Sequence, residues 1–204
     1  MPPFVPQALV FDLGGVLVDI DFDRAFRAWS KYSALSLETL KERFHFDEQY
    51  QRHERGEIES HEYFTHVTSL LSLSASIDEV ATGWNSIFVG EVSGTLRLVE
   101  YARRSLPCYV LTNTNATHMA RWTELFPNVT AAVDSVFASH HIGRRKPERA
   151  AFDHVCLALG LTPQSLLFFD DSLENVNGAS DAGLQSILVR GPADVARSFA
   201  EFGL

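Results

Sequence analysis

The sequence has little of what would mark a secreted, membrane-bound or nucleic-acid-binding chain. It carries only two cysteines in 204 residues, Cys108 in an apolar strand-like run and Cys156 in a helix-like one. Two buried spectator thiols suit that pair better than a disulfide framework. No run reaches the ~20 apolar residues a membrane helix needs. The most apolar early segment, Ala8 to Leu17, is interrupted by Asp12, Gly14 and Gly15. The opening Met1-Pro2-Pro3-Phe4-Val5-Pro6 lacks the cationic start and unbroken apolar stretch of a secretory signal. Positive charge is also scarce: the longest basic run is Arg144-Arg145-Lys146, and the net charge is −9. Such a chain offers a phosphodiester backbone or an anionic membrane little to hold. A cytoplasmic protein with neither nucleic acid nor membrane as partner is expected. The histidines show no tight metal spacing, His61 and His66 being five apart and His140 and His141 adjacent, so no zinc site is expected.

What is present is an ordinary globular composition, 46% hydrophobic, enough for one large domain or one domain carrying an insert. Ala8-Leu9-Val10-Phe11 is a compact apolar run ending in an acid. Similar runs recur at Cys108-Tyr109-Val110-Leu111, Val136-Phe137-Ala138, Leu166-Leu167-Phe168-Phe169 and Ser186-Ile187-Leu188-Val189. Near-continuous apolarity predicts parallel strands covered on both faces. Helical patterns lie near 95–104, 116–126, 148–159, 173–182 and 193–202, giving an α/β layer sandwich with right-handed crossovers. The stretch from about 22 to 92 shows no convincing strand. It carries amphipathic patterns instead, such as Phe22-Phe26-Trp29 and Val80-Trp84-Ile87-Phe88, with Ser36 and Ser60 placed as N-caps. This predicts a helical insert, 22–92, in a core formed by 1–21 and 93–204. Trp29, Trp84 and Trp122 fall on apolar faces and are expected in the core.

In an open parallel sheet, ligands bind beyond the carboxyl ends of the strands. The residues there are Asp12, then Thr112-Asn113, then Asp170-Asp171, with Lys146 opening a later helix. Their joint placement fits phosphoryl transfer. A carboxylate nucleophile splits a hard hydrolysis into two easier steps through an acyl-phosphate. Mg²⁺ takes one or two carboxylates together with water and phosphate, and Asp12 with Asp171 supplies that pair. Lys146 holds phosphoryl oxygens as a point charge, and Thr112 with nearby backbone N–H groups donates hydrogen bonds. The three acids and a phosphoryl group outweigh Mg²⁺ and Lys146. Either Asp170 stands behind the metal ligands or protonated, or another cation enters.

These residues resemble the haloacid dehalogenase superfamily, which is mostly phosphatases. Val10-Phe11-Asp12-Leu13-Gly14-Gly15-Val16-Leu17, Val110-Leu111-Thr112-Asn113, Lys146-Pro147 and Phe168-Phe169-Asp170-Asp171-Ser172-Leu173-Glu174-Asn175 match its four motifs in order. The resemblance implies a Rossmann-like core with a five-stranded parallel sheet and a small α-helical cap inserted after the first strand. It implies catalysis by Asp12, Lys146 and Thr112, and Mg²⁺ held by Asp12, Asp171 and the Gly14 carbonyl. Asp170 and Asn175 would support those ligands. Substrate contacts fall to Thr112, Asn113, Lys146, Gly15, Arg55 and Glu54. The segments Asp12 to Phe22, His53-Glu54-Arg55-Gly56-Glu57-Ile58 and Thr112-Asn113-Thr114-Asn115 look more like bacterial α-D-glucose-1-phosphate phosphatases and the phosphatase domain of soluble epoxide hydrolases. Glu54-Arg55-Gly56 reads equally well as a substrate-facing cap loop or an exposed charged helix end.

One departure stands out. The family's first motif has a second aspartate two residues after the nucleophile, where this chain has Gly14. Glycine keeps the metal-binding carbonyl and loses a general acid worth ~10²–10⁴-fold. An acidic leaving group, such as the anomeric oxygen of a sugar phosphate, would soften that loss. Asp19 and Asp21 are nearby substitutes, with turn or helix capping as their other reading. The expected function is therefore Mg²⁺-dependent hydrolysis of a small phosphorylated metabolite, a sugar phosphate such as a hexose 1-phosphate. A metal-free dehalogenase and a binding member without turnover are the rivals. Oligomeric state is not legible.

Overall fold

The computed structural model describes residues 5–204, so most of the proline-containing start, including its reading as a non-signal, lies outside the described residues. The chain runs β1 (Ala8–Phe11), β2 (Val18–Ile20), α1 (Phe22–Trp29), α2 (Leu37–Arg43), α3 (Glu48–Glu54), α4 (Ser60–Leu70), α5 (Ile77–Trp84) and β3 (Phe88–Glu91). It continues through α6 (Ser93–Ala102), β4 (Cys108–Thr112), α7 (Ala116–Leu125), α8 (Pro127–Ala132), β5 (Ser135–Ala138), α9 (Ser139–Ile142) and α10 (Arg149–Leu159). The last elements are β6 (Leu166–Asp170), α11 (Leu173–Ala182), β7 (Gln185–Leu188) and α12 (Pro192–Phe202).

Five strands form one parallel sheet in the order β5-β4-β1-β6-β7. This is the α/β arrangement the apolar runs predict, with the Rossmann-like five-stranded sheet the resemblance implies. The central strands β1 and β6 are buried throughout, while the edge strands β5 and β7 are not. Alternation in β1 sends Leu9 and Phe11 to one face and Ala8 and Val10 to the other. Each pair joins a separate apolar cluster. Phe11 pairs with Phe169 across β1 and β6, their rings stacked 4.7 Å apart. The first cluster continues without a break into α1–α5, where Trp29 and Trp84 stack at 6.1 Å. Trp29, Trp84 and Trp122 are fully buried.

Two expectations need correction. The stretch 22–92 does hold a strand: β3 pairs antiparallel with β2, forming a two-stranded ribbon through which the chain enters and leaves the helical layer. A ribbon this short buries little, and Val89 is 48% exposed, so it lacked the apolar signature of the main sheet. Glu59, not Ser60, is the N-cap of α4, and the Ser60 hydroxyl instead meets His53 Nε2 at 3.1 Å and accepts from Thr117 at 2.8 Å. Glu48–Glu54 is a helix, capped by Asp47, although its sequence is polar nearly throughout. Ser36 caps α2 as expected. No helix among the described residues is long and apolar enough to cross a membrane.

Candidate active site

Asp12 follows β1 directly, and its N–H donates to Phe169 O at 2.8 Å, locking it beside the end of β6. Its Oδ1 accepts from Leu13 N at 2.7 Å and lies 2.7 Å from Lys146 Nζ. Lys146 is 1% exposed and reaches on to Asp170 Oδ2 at 2.6 Å, so one ammonium sits between two carboxylates. Asp170 is fully buried and its remaining acceptor capacity is taken. Ser172 N donates to it at 2.8 Å, and Asn175 Nδ2 reaches its two oxygens at 3.0 and 3.1 Å. The Asn175 amide is thus directed at Asp170. Asn113 clamps the Lys146 backbone, donating to its carbonyl and accepting from its N–H, both at 2.8 Å. That engages the Asn113 side chain in holding the amine's loop, and Asn113 also lines the cavity.

The electrostatics leave negative charge in excess. Burial pushes the Asp12 carboxyl up to about 7, with Asp170 and Asp171 adding and Lys146 opposing. Asp171 is raised too, by burial first and then by Asp170. Burial works against the Lys146 charge, but Asp12 and Asp170 outweigh it and raise its pKa. Oxygens of Asp12, Asp170 and Asp171 all lie within 4.8 Å of one another. Hard oxygen donors converging with uncompensated charge suit Mg²⁺. Asp170 is engaged by Lys146 and Asn175, while Asp12, Asp171 and Gly14 line the same cavity and are the groups that could hold the ion.

Gly15 has a different task from the substrate contact expected of it. Its N–H donates to Val18 O at 2.8 Å, and its φ of +73° lies in the left-handed region. A Cβ there would stand 2.1 Å from Asp171 Oδ2. Glycine is what lets the Asp171 carboxylate lie against the turn after β1. Gly15→Ala is expected to displace that carboxylate and weaken Mg²⁺ binding at least ~10-fold, an effect of the size seen when groups supporting a metal ligand are lost. A Mg²⁺ titration followed by calorimetry checks this.

Above the strand ends lies a cavity of about 540 Å³. Asp12, Thr112, Lys146 and Asp171 form its floor, with Ile20, Phe22 and Phe46 on an apolar wall and Tyr50, Glu54 and Arg145 on a polar one. Thr112, 3% exposed, keeps its hydroxyl 3.5 Å from Asn113 O, a contact loose enough to exchange for a ligand. Glu54 is 3% exposed and pairs with Arg145 Nε at 2.8 Å. Arg55 does not line the cavity; it bridges Glu57 at 2.7 Å and Glu148 at 3.0 Å. Gly56, at φ +68°, brings this corner so close that a Cβ would meet His140 O at 2.5 Å. The sequence analysis missed Tyr50 and Arg145 as site residues. Arg145 was visible only as part of a basic run, though its place beside Lys146 was a usable signal.

Paired acids at neighbouring strand ends, a buried amine between them and a roofed cavity form a candidate active site at the carboxyl edge of an α/β sheet. The chain belongs to the haloacid dehalogenase-like hydrolase family, which it matches over residues 6–183. It is 27% identical over 194 residues to a D-ribitol-5-phosphate phosphatase of Bacteroides thetaiotaomicron, covering 91% of this chain and 93% of that one. It is 30% identical to a phosphatase of Mycobacterium tuberculosis, covering 90% of this chain and 87% of the other. A solved haloacid dehalogenase family enzyme from Bacteroides thetaiotaomicron, in complex with magnesium and inorganic phosphate, superposes with a TM-score of 0.82 at 26% identity, covering 95% and 99% of the two chains.

Proposed function

We propose that this phosphoric monoester hydrolase is a Mg²⁺-dependent phosphatase of a small phosphorylated metabolite, a sugar or polyol phosphate with hexose 1-phosphates among the candidates. The observation that carries the reading is the Lys146 ammonium between Asp12 and Asp170 at the floor of a cavity that also holds Asp171. The reacting carboxylate is Asp12, which attacks phosphorus and carries the phosphoryl group until water releases it. Lys146 neutralises phosphoryl oxygens, and the Thr112 hydroxyl donates to one of them. Bound Mg²⁺ lowers the repulsion between the Asp12 carboxylate and the incoming phosphate. The helices within 22–92 act as a cap: their polar wall at Tyr50 and Glu54 meets substrate hydroxyls, and Ile20 and Phe22 meet its carbon skeleton. The D-ribitol-5-phosphate phosphatase among the relatives supports a polyol or sugar phosphate.

Dehalogenation also uses an aspartate nucleophile and tolerates Gly14. It has no use for a metal, whereas Asp171 and the Gly15 cradle beneath it suit one. The test is phosphate release from a panel of phosphorylated metabolites, with and without Mg²⁺. Metal-dependent release from a sugar or polyol phosphate is expected. Halide release without metal would overturn the reading.

A further inference from the structure

Gly14 carries no side chain, and Ile20 takes up the place beside it: a Cβ there would stand 2.9 Å from Ile20 Cδ1. A recess of about 90 Å³ is lined by Gly14, Ile20, Tyr50, Glu54 and Thr112, so the turn at Gly14 and the Glu54 side chain border the same space. The nearby acids of the sequence are not available. Asp19 is exposed on β2, and Asp21 caps α1 by accepting from Asp23 N at 2.9 Å. His118 also borders the recess, but its Nε2 faces Trp84 O at 3.1 Å and its Nδ1 the Asn115 amide at 3.3 Å. In the main cavity Asp12, Lys146 and Asp171 have roles already, and Glu174 is exposed on the first turn of α11. Glu54 is the remaining carboxyl lining that cavity among the described residues, and it is 3% exposed.

We propose that Glu54, held between Tyr50 and Arg145, is the proton donor to the leaving oxygen, replacing the side chain absent at Gly14. This deepens the phosphatase reading and rests on it. As Asp12 Oδ bonds to phosphorus and the ester P–O bond breaks, the Glu54 carboxyl proton passes to the departing oxygen. The alcohol leaves and Glu54 remains as a carboxylate. When water attacks the phosphoryl group on Asp12, its proton returns to Glu54, and phosphate and the starting carboxyl are restored. Tyr50 and Arg145 fix the carboxyl's direction, one from its own helix and one from the loop that carries Lys146. Burial raises the Glu54 pKa, against the pull of Arg145, Tyr50 and the more distant Lys146. That favours a carboxyl able to hold a proton for transfer.

The experiment compares an alkyl phosphate, whose alkoxide needs a proton to leave, with p-nitrophenyl phosphate, whose phenolate does not. Glu54→Gln is expected to lower kcat on the alkyl ester ~10²-fold more than on the aryl ester, because general-acid help is confined to the poor leaving group. An equal fall on both esters would make Glu54 a structural latch and overturn the proposal. So would a change confined to KM. Should the variant not fold, a leaving-group series on the wild-type enzyme and on Glu54→Asp decides. A shallow dependence in the wild type that steepens in Glu54→Asp supports the assignment, and a wild-type dependence as steep as the variant's overturns it. Wild-type protein that releases phosphate from neither ester would overturn the phosphatase reading itself, a result distinct from all of these.

Discussion

Asp12→Asn is expected to lower kcat by at least ~10⁴-fold while leaving the protein folded and no less stable. The amide has the shape of the carboxylate and its oxygen still accepts from Leu13 N and Lys146, but it cannot form an acyl-phosphate. Stability is spared because Asp12 is an uneasy carboxylate: burial, Asp170 and Asp171 all act against its charge. Removing that charge relieves repulsion, and Lys146 keeps its second partner, Asp170, at 2.6 Å. Phosphate release and thermal unfolding, both measured on the same metal-free stock with Mg²⁺ added back for the assay, check the two halves. Substantial residual turnover would refute covalent catalysis by this residue.

Lys146→Met should also abolish activity, but with the opposite effect on the fold. It removes the cation from a fully buried pair and leaves Asp170 facing Asn175, Ser172 N and a thioether. Breaking one side of a buried ion pair costs about 3–5 kcal/mol, far more than the ammonium stem's packing returns. Urea denaturation should show a midpoint shifted well below wild type at neutral pH. The contrast is diagnostic. Two variants inactive for different reasons, one stable and one not, would fix Lys146 as the counter-charge that makes the acid cluster tolerable. Equal stability in both would mean that Asp170 is carried by its hydrogen bonds alone.

The parallel sheet was legible because its strands state their burial directly: β1 is apolar at every position and β6 at every position before its closing Asp170, which solvent-facing strands are not. The acids at their ends were legible for the same reason, since a carboxylate directly after such a run must lie at the sheet's edge. The β2–β3 ribbon was hidden because Val80, Trp84, Ile87 and Phe88 continue a helical spacing straight into it. Helix α3 was hidden by its polarity. Its burial of Glu54 depends on Arg145, 91 positions away, and no local pattern encodes a pairing of that range. The two readings offered for Glu54-Arg55-Gly56 divide along the chain: Glu54 lines the cavity, and Arg55 joins surface ion pairs. The motif offered Gly15 as a substrate contact, while the structure sets it against Asp171, because a glycine's role is written in its neighbour's position and not in its own identity.

The pairs Glu54–Arg145 and Arg55–Glu148 straddle Lys146, tying the roof of the site to the segment that carries its amine. Inserts in such a fold look exchangeable, since both ends of this one pass through a single short ribbon. Grafting it onto a related core would bring Glu54 and Arg55 but leave Arg145 and Glu148 behind, stranding a buried carboxyl group without its partner at the catalytic face. The unit that recombines intact is therefore the insert together with residues 145–148. Drift at position 54 should be matched at position 145 in related sequences, a linked inheritance between segments that the chain order keeps far apart.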